Sequence, residues 1–238
     1  MSASWQAVLV IGSLVVATFA IAGQGSAQGS PVHFEGTDLT EPEFRNLTMN
    51  SPEFYDVNLR DSLFERCKFT NGKFTNCGFS EVSFSNSKMH KPSFSQMTLE
   101  YPSFHTGTFK YGRFERIEFD GTRFYDCDLD DVIWEYSESD DLHLLRCSGT
   151  DWYIERVELR NLRAEYFKAT SARWSSCEFD HGYFSHTDFS FSTIENADLR
   201  RTTIKYSDLS DVSIERCNIR GLEIDGVNIE ELLRKAGH

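Results

Sequence analysis

Apolar residues return at every fifth position of this chain from Phe34 to Ile229. In that frame only Ser139 and Gly149 are clearly not apolar, and no insertion shifts the phase. A helix repeats about every 3.6 residues and a half-buried strand about every two, so a period of five predicts neither element in its ordinary form. We interpret the pattern as an internal repeat that spans nearly all of the chain after residue 33.

A second restricted position lies two residues before each large apolar residue. It is usually small, and it holds every cysteine of the chain: Cys67, Cys77, Cys127, Cys147, Cys177 and Cys217. Large and small side chains that alternate inward would fill a narrow closed coil without voids. We therefore interpret the cysteines as reduced, buried filler rather than as a disulfide framework, and they do not indicate the redox compartment.

The segments 197–201 (ADLRR) and 207–211 (SDLSD) resemble the A(D/N)LXX motif of the pentapeptide-repeat family. The resemblance covers nearly all of the chain after residue 33, although the N-terminal half favours Phe over Leu at the central position. It implies an all-β fold, a single right-handed quadrilateral parallel β-helix in which each pentapeptide forms one side. We expect about ten coils over residues 33–229 and a short C-terminal capping helix over residues 230–238.

Four pentapeptides per coil place residues 20 apart on one face. We number the faces by their first central residues: Phe34, Leu39, Phe44 and Met49 begin the first, second, third and fourth face. The first and third faces are then rich in Phe, and we interpret these ladders as core rather than as a ligand groove.

Large and small residues exchange places between Trp134 and Trp174. Gly149 is followed by Trp152, and Phe167 comes just before a small alanine. Because a core tolerates changes that conserve total volume, we expect repacking inside a continuous coil. A local bulge is the alternative.

The N-terminus differs from the repeat. Residues 7–22 are apolar and uncharged, which is short for a membrane span and close to the length of a signal-peptide core. We expect a signal peptide or membrane anchor over residues 1–27, with cleavage after Ala22 or Ala27, and a linker over residues 28–32. No Lys or Arg precedes Ala7, so an uncleaved anchor and a cytosolic chain remain alternatives.

The C-terminus also leaves the repeat. Asn228 followed three residues later by Glu231 is a capping-box pattern for a short helix. We expect Leu232 and Leu233 to cover the open apolar end of the last coil, as solenoids require caps.

The net charge of −13 is distributed unevenly, and the second face is the most acidic. The candidate partner-binding residues on this face are Glu100, Glu118, Asp120, Glu138, Asp140, Asp141, Glu158, Glu178 and Asp180. A solvated surface is one interpretation. The family resemblance implies another, because some members are acidic DNA mimics that bind a type II topoisomerase (gyrase).

Tyr166, His186 and Tyr206 share one corner of successive coils. Such an exposed aromatic ladder could contact a protein or a glycan, and surface packing between strands is the other interpretation.

Nothing in the sequence predicts an enzyme, a cofactor or a metal site. No nucleophile lies beside a base, and the aspartates between Asp126 and Asp131 lack the glycine and the final glutamate of a calcium loop. We expect a non-enzymatic, exported scaffold or protein-binding solenoid with an unknown protein partner and no nucleic acid. Membrane contact would come only through an uncleaved N-terminal segment, and a homodimer is compatible with the pattern.

Overall fold

A computed structural model describes residues 5–8, 18–21 and 33–237 of the chain. It shows a parallel β-solenoid of about ten coils with one short C-terminal helix, which confirms the predicted fold class. Each strand pairs with the strand 20 residues later, as in the pairing of Phe34 with Phe54. The five-residue period of the sequence therefore becomes four sides per coil, with the central residues inside.

Most strands contain only three residues, because each side is a single pentapeptide. Four longer strands run from the first face onto the second: His33–Thr40, Glu53–Arg60, Ser93–Glu100 and Arg113–Asp120. The other first-face strands are Lys73–Thr75, Ile133–Glu135, Tyr153–Glu155, Arg173–Ser175, Thr193–Glu195 and Ser213–Glu215. The other second-face strands are Gly78–Ser80, Glu138–Asp140 and Glu158–Arg160.

The third and fourth faces form separate ladders. The third-face strands are Glu43–Arg45, Leu63–Glu65, Ser83–Ser85, Ser103–His105, Arg123–Tyr125, His143–Leu145, Arg163–Glu165, Tyr183–Ser185, Thr203–Lys205 and Glu223–Ile224. The fourth-face strands are Thr48–Asn50, Lys68–Thr70, Lys88–His90, Thr108–Lys110, Ser148–Thr150 and Lys168–Thr170. Isolated bridges such as Lys168 with Asp188 continue the fourth face where no strand is formed.

Two further strands, Trp5–Val8 and Thr18–Ile21, pair antiparallel with each other. The rest of the expected leader at residues 1–27 and the whole expected linker at residues 28–32 lie outside the described residues. Within the described ranges, no helix is long and apolar enough to cross a membrane.

Every corner of the coil uses the left-handed backbone region. The second residue after each central residue has a positive φ, for example 57° at Glu41, 51° at Tyr101 and 59° at Phe191. This conformation costs a non-glycine residue about 1–2 kcal/mol. Hydrogen bonds between coils impose it: the Glu41 N–H donates to the Arg60 carbonyl over 2.9 Å, and the next coil does the same.

Phenylalanine rings stack along the first and third faces, as the sequence predicts. The ring centroids of Phe34 and Phe54 lie 4.5 Å apart with planes 8° from parallel, and those of Phe44 and Phe64 lie 4.5 Å apart. Rings on neighbouring faces meet edge to face, as do Phe69 and Phe74 at 6.2 Å. These ladders are buried and form the core.

The small inward position does more than fill space. The Cys67 thiol donates to the Phe44 carbonyl over 3.2 Å, and the Ser87 hydroxyl donates to the Phe64 carbonyl over 3.2 Å. Each of these side chains binds the carbonyl of a central residue 23 positions earlier, in the preceding coil. All the cysteines are free, which confirms the predicted thiols, and only Cys217 is less than fully buried.

The exchange of large and small residues is repacking within a continuous coil, as predicted. Trp152 and Phe167 are almost fully buried, and the parallel register continues unbroken through Ser139, which pairs with Leu159. The bulge alternative is wrong. Within the described part of the chain, the buried polar atoms that lack a hydrogen-bond partner include Trp134 Nε1, Ser139 Oγ and Trp174 Nε1 of this stretch.

The C-terminal helix, α1, spans Ile229–Lys235. The Asn228 side chain accepts a hydrogen bond from the Glu231 N–H over 2.9 Å, which confirms the predicted cap. The predicted burial of Leu232 and Leu233 is wrong: their exposed fractions are 52% and 39%.

A short hairpin explains why α1 does not close the solenoid. Val227–Asn228 turns back and pairs antiparallel with the third-face strand Glu223–Ile224. The seven-residue helix that follows contacts this hairpin and buries none of its residues. Ile214, Ile219 and Ile224 in the last coils therefore stay only partly buried.

Candidate functional site: the acidic second face

The acidic residues of the second face form two rows along the rod. Glu118, Glu138 and Glu158 pair in register on one side of the central residues, and a bridge extends this row to Glu178. On the other side Glu100 pairs with Asp120, which pairs in turn with Asp140. Neighbours in a row are separated by about one strand spacing, ~4.8 Å. Like charges in register at this distance destabilise a sheet.

The structure brings the nine predicted acids together on one face. Eight flank central residues of that face, and Asp141 occupies the adjoining corner. Glu158 and Asp180 are half-buried and the others are exposed.

The C-terminal part of this surface is partly neutralised. Glu158 pairs with Arg160 at 3.0 Å. Asp180 contacts His181 at 3.3 Å and Arg201 at 3.0 Å.

The centre of the surface is not neutralised. Among residues 33–237, Glu100, Glu118, Asp120 and Glu138 have no side-chain hydrogen bond and no basic group within ion-pair distance. They line a shallow concavity of about 280 Å³ together with residues that include Phe119 and Ser139. We call these four residues the central acidic rows. Their carboxylates are free to meet a cation from outside the chain.

The predicted aromatic ladder is also formed. The ring centroids of Tyr166 and His186 lie 4.8 Å apart with planes 19° from parallel, and those of His186 and Tyr206 lie 5.2 Å apart. Tyr166 and Tyr206 are more than half exposed. Because the inner ring faces cover each other, only ring edges and the outer faces of the two tyrosines are available to a ligand.

Comparison with protein families identifies the repeat. The "Pentapeptide repeat region" model matches residues 37–114, and the "Pentapeptide repeats (8 copies)" model matches residues 183–221. The chain is a pentapeptide-repeat protein. A search of curated proteins finds no match to the sequence.

Several solved structures resemble this pentapeptide-repeat protein at low identity. Full-length QnrB1, a plasmid-mediated fluoroquinolone resistance protein, is 12% identical with a TM-score of 0.48, and the match covers 84% of this chain and 100% of QnrB1. HetL, involved in heterocyst differentiation regulation in Nostoc sp. strain PCC 7120, is 14% identical with a TM-score of 0.26, covering 81% and 91%. Rfr23 from Cyanothece 51142 is 12% identical with a TM-score of 0.31, covering 50% and 87%.

Pentapeptide-repeat proteins of this fold are generally non-enzymatic structural or binding proteins. In the described residues of this one, the Ser185 hydroxyl lies 2.9 Å from His186 Nδ1, but no carboxylate contacts that imidazole to orient it as a base. The aspartates near residue 128 are engaged by cations: Asp126 accepts from Arg146 and Asp130 from Lys110, both over 2.7 Å. No group of three or more metal-ligating side chains occurs within the described ranges.

Two features of the structure were not evident from the sequence. The first is that the central acidic rows lack ion-pair partners, which depends on where Arg160 and Arg201 direct their side chains. The second is the uncovered apolar end of the solenoid beside α1.

Proposed function

We propose that this pentapeptide-repeat protein is a non-enzymatic binding rod that takes a basic protein surface on its second face. The observation that carries this proposal is the pair of unneutralised central acidic rows, in which Glu118 and Glu138 lie in register without a cation. Each row stores like-charge repulsion in the free protein. A Lys- or Arg-rich partner would relieve it and would be steered to the face by the field.

The test compares two variants of equal charge. In the first, Glu100→Gln, Glu118→Gln, Asp120→Asn and Glu138→Gln neutralise the central acidic rows. The control variant carries Asp131→Asn, Asp151→Asn, Asp211→Asn and Glu223→Gln, which lie away from the second face; Asp131 is half-buried and the other three are exposed. Calorimetric titration with an arginine-rich peptide at several salt concentrations measures the affinity. We expect the first variant to lose at least tenfold in affinity and most of the salt dependence, while the control changes little. Equal losses in the two variants would rule out the second face as the binding surface.

A second candidate function, mimicry of DNA toward a type II topoisomerase, is favoured by the charge density of the rows. Two carboxylates per coil of about 4.8 Å give roughly one charge per 2.4 Å, against about one per 1.7 Å in duplex DNA. The fully unpaired stretch extends over only a few coils, so it would imitate a short segment of duplex. This function predicts salt-sensitive inhibition of gyrase supercoiling that the row-neutralised variant loses. Absence of inhibition at low salt would exclude it.

We also propose that the apolar segment at residues 7–22 directs export. Its length and lack of charge support this assignment. N-terminal sequencing of the mature protein tests it, with an expected first residue of Gly23 or Gln28. A chain that begins at Met1 in the cytosol would refute export and would favour the topoisomerase alternative, since that enzyme is cytosolic.

A further inference from the structure

The third face carries a row of basic side chains in a protein whose net charge is −13. Arg123 pairs in register with His143, and His143 pairs in register with Arg163. Tyr183 continues the same row in the next coil. The three basic residues therefore lie on successive coils at spacings of about 4.8 Å.

Several arginines of the solenoid reach a carboxylate one coil away, as Arg113 does with Glu135 at 2.7 Å and Arg146 with Asp126 at 2.7 Å. Across residues 33–237, Arg123 has no carboxylate within ion-pair distance, and Arg163 pairs only with its neighbour Glu165. The two arginines flank His143 in the same register, and Glu165 is the one carboxylate among the described residues that pairs with either of them.

The central histidine is sensitive to this surrounding charge. Burial lowers the pKa of His143, and the flanking Arg123 and Arg163 lower the pKa further. Asp141 and Glu165 oppose the shift but do not cancel it. His143 is therefore neutral near pH 7 and offers one N–H donor between two guanidinium groups.

A shallow depression adjoins the row. Its volume is about 470 Å³, and it is lined by His143, Asn161, Leu162, Arg163, His181 and Tyr183. The Arg163 guanidinium carbon lies 5.6 Å from the centre of the Tyr183 ring, which holds that side chain over the depression. The His181 and Asn161 side chains are engaged by Asp180 and Asp140, and Arg163 pairs with Glu165. Among the described residues of the row, Arg123 therefore supplies the cation without a partner carboxylate, and His143 supplies an N–H donor beside it.

We propose that Arg123, His143 and Arg163 form a binding site for a tetrahedral oxyanion, a phosphate or sulfate group. Guanidinium groups bind such oxyanions through paired N–H donors. The two arginines flank His143 by one coil on either side, so both can incline toward an anion placed over the imidazole. The bound charge would offset the repulsion between the two guanidinium groups and accept hydrogen bonds from all three side chains.

Binding at this site is linked to protonation. An anion beside His143 stabilises the imidazolium, so the pKa of His143 rises when the site is filled. By linkage, affinity for the anion increases as the pH falls through the pKa of the histidine. Sulfate is the probe for this effect because its own charge does not change between pH 5 and pH 8.

The experiment follows the His143 imidazole by NMR while sodium sulfate is added at constant ionic strength. We expect the pKa of His143 to rise by about one unit at saturation and the affinity to rise severalfold, up to about tenfold, between pH 7.5 and pH 5.5. Sodium chloride that reproduced the same shift would overturn the proposal, because it would show simple screening.

Variants distinguish the site from general positive charge. Arg123→Gln with Arg163→Gln should abolish the sulfate response. His143→Gln should retain weakened binding and lose its pH dependence, detected by calorimetry. Lys68→Gln with Lys88→Gln is the matched control, since these two lysines are also in register on another face and lack acidic partners among the described residues. Urea unfolding confirms that each variant is folded. The site would be refuted if sulfate still raised the pKa of His143 in the arginine variant. It would also be refuted if the lysine variant lost this effect to the same extent as the arginine variant.

Two phosphate probes identify the source of the group. Inorganic phosphate and phenyl phosphate are compared at equal pH and ionic strength. Tighter binding of phenyl phosphate supports a phosphoryl group carried on a larger molecule that lies over Tyr183, whereas equal binding supports the free ion. Failure of both to bind would overturn the site but would leave the proposal for the second face unaffected, since the residues do not overlap.

Discussion

The indole of Trp152 occupies the space in which a Cβ atom on Gly149 would have to lie. An added Cβ would approach both the indole nitrogen and the Leu129 carbonyl oxygen to less than 3.0 Å. The same indole nitrogen donates to that carbonyl, so the three groups fit together only because residue 149 has no side chain.

Gly149→Ala should therefore destabilise the protein by about 1–3 kcal/mol, the usual cost of overpacking a core. Urea unfolding measures the change. Gly72→Ala is the control, because the nearest atom to its added Cβ is Pro52 Cγ at 3.4 Å, an ordinary contact. The control should change stability by less than about 1 kcal/mol. Equal effects at the two glycines would show that Trp152 moves aside at little cost.

The side chain of Phe167 fills the interior where the central residues are alanines. It is 1% exposed, and Ala164 and Ala169 beside it are fully buried. Phe167→Ala should cost about 3–5 kcal/mol, because the small side chains of Ala164 and Ala169 cannot fill the cavity that is left.

The chain provides a control for this variant. Phe191 is 66% exposed at a corner, and Phe191→Ala should change stability by no more than about 0.5 kcal/mol. Thermal and urea unfolding of both variants give the comparison. An unchanged midpoint for Phe167→Ala would contradict its role in the core.

Replacement of a corner residue should stabilise the protein where the present residue fits the left-handed backbone poorly. Thr106 is β-branched and has a φ of 52°. Thr106→Asn should raise the free energy of unfolding by about 1 kcal/mol, since asparagine adopts this conformation more readily. The same substitution at Thr108, a strand residue two positions later, should lower it. The expected result is a rise in the free energy of unfolding at residue 106 and a fall at residue 108. A fall at both residues would mean that the left-handed conformation of Thr106 does not limit stability.

Alkaline conditions should destabilise the protein through its buried thiols. Burial raises the pKa of Cys177 to about 12, whereas an unfolded cysteine titrates near 8.5. The folded state therefore holds this proton more tightly, and the stabilisation is complete below about pH 8.5 and is lost as the pH rises toward 12. Between pH 8 and pH 10 this one thiol should account for about 2 kcal/mol of lost stability.

Cys177→Ala isolates this contribution, because it removes the titrating group and leaves the others. Its urea midpoint should fall less steeply over that pH range than that of the unmodified protein. Cys217→Ala should show a smaller change in slope, because its thiol is less buried. If the urea midpoint falls equally steeply with pH in the unmodified protein and in Cys177→Ala, the Cys177 thiol does not cause the loss of stability at alkaline pH.

The architecture could be predicted because the five-residue period fixes the length of a side, and the resemblance to the pentapeptide-repeat family implies four sides per coil and therefore the register. The pairing of Phe34 with Phe54 follows directly from counting 20 positions. The exchange around Gly149 and Trp152 was predictable for the same reason, since the frame shows which side chains must share a volume.

Other features could not be predicted from this pattern. The corners hold residues as different as Glu41, Tyr101 and Phe191, so the residue type at a corner does not predict the left-handed backbone conformation. The hydrogen bonds between coils impose that conformation. The position of α1 depends on a hairpin whose direction the sequence does not encode in its periodicity, which is why the expected burial of Leu232 failed.

The candidate sites divide in a similar way. The acidic rows on the second face follow from counting by 20, but their lack of partners depends on side-chain conformations. The basic row of Arg123, His143 and Arg163 follows from the same count on the third face.

The hydrogen bonds that join one coil to the next all point along the axis of the rod. A pulling force on the two ends would therefore load these bonds in tension, a few at a time, rather than shear a whole ladder at once. Such a rod yields by peeling coils from one end, and the uncovered end beside α1, where the last isoleucines are only partly buried, is where peeling would start. Under load, the last coils would therefore be expected to unfold before those in the middle of the rod.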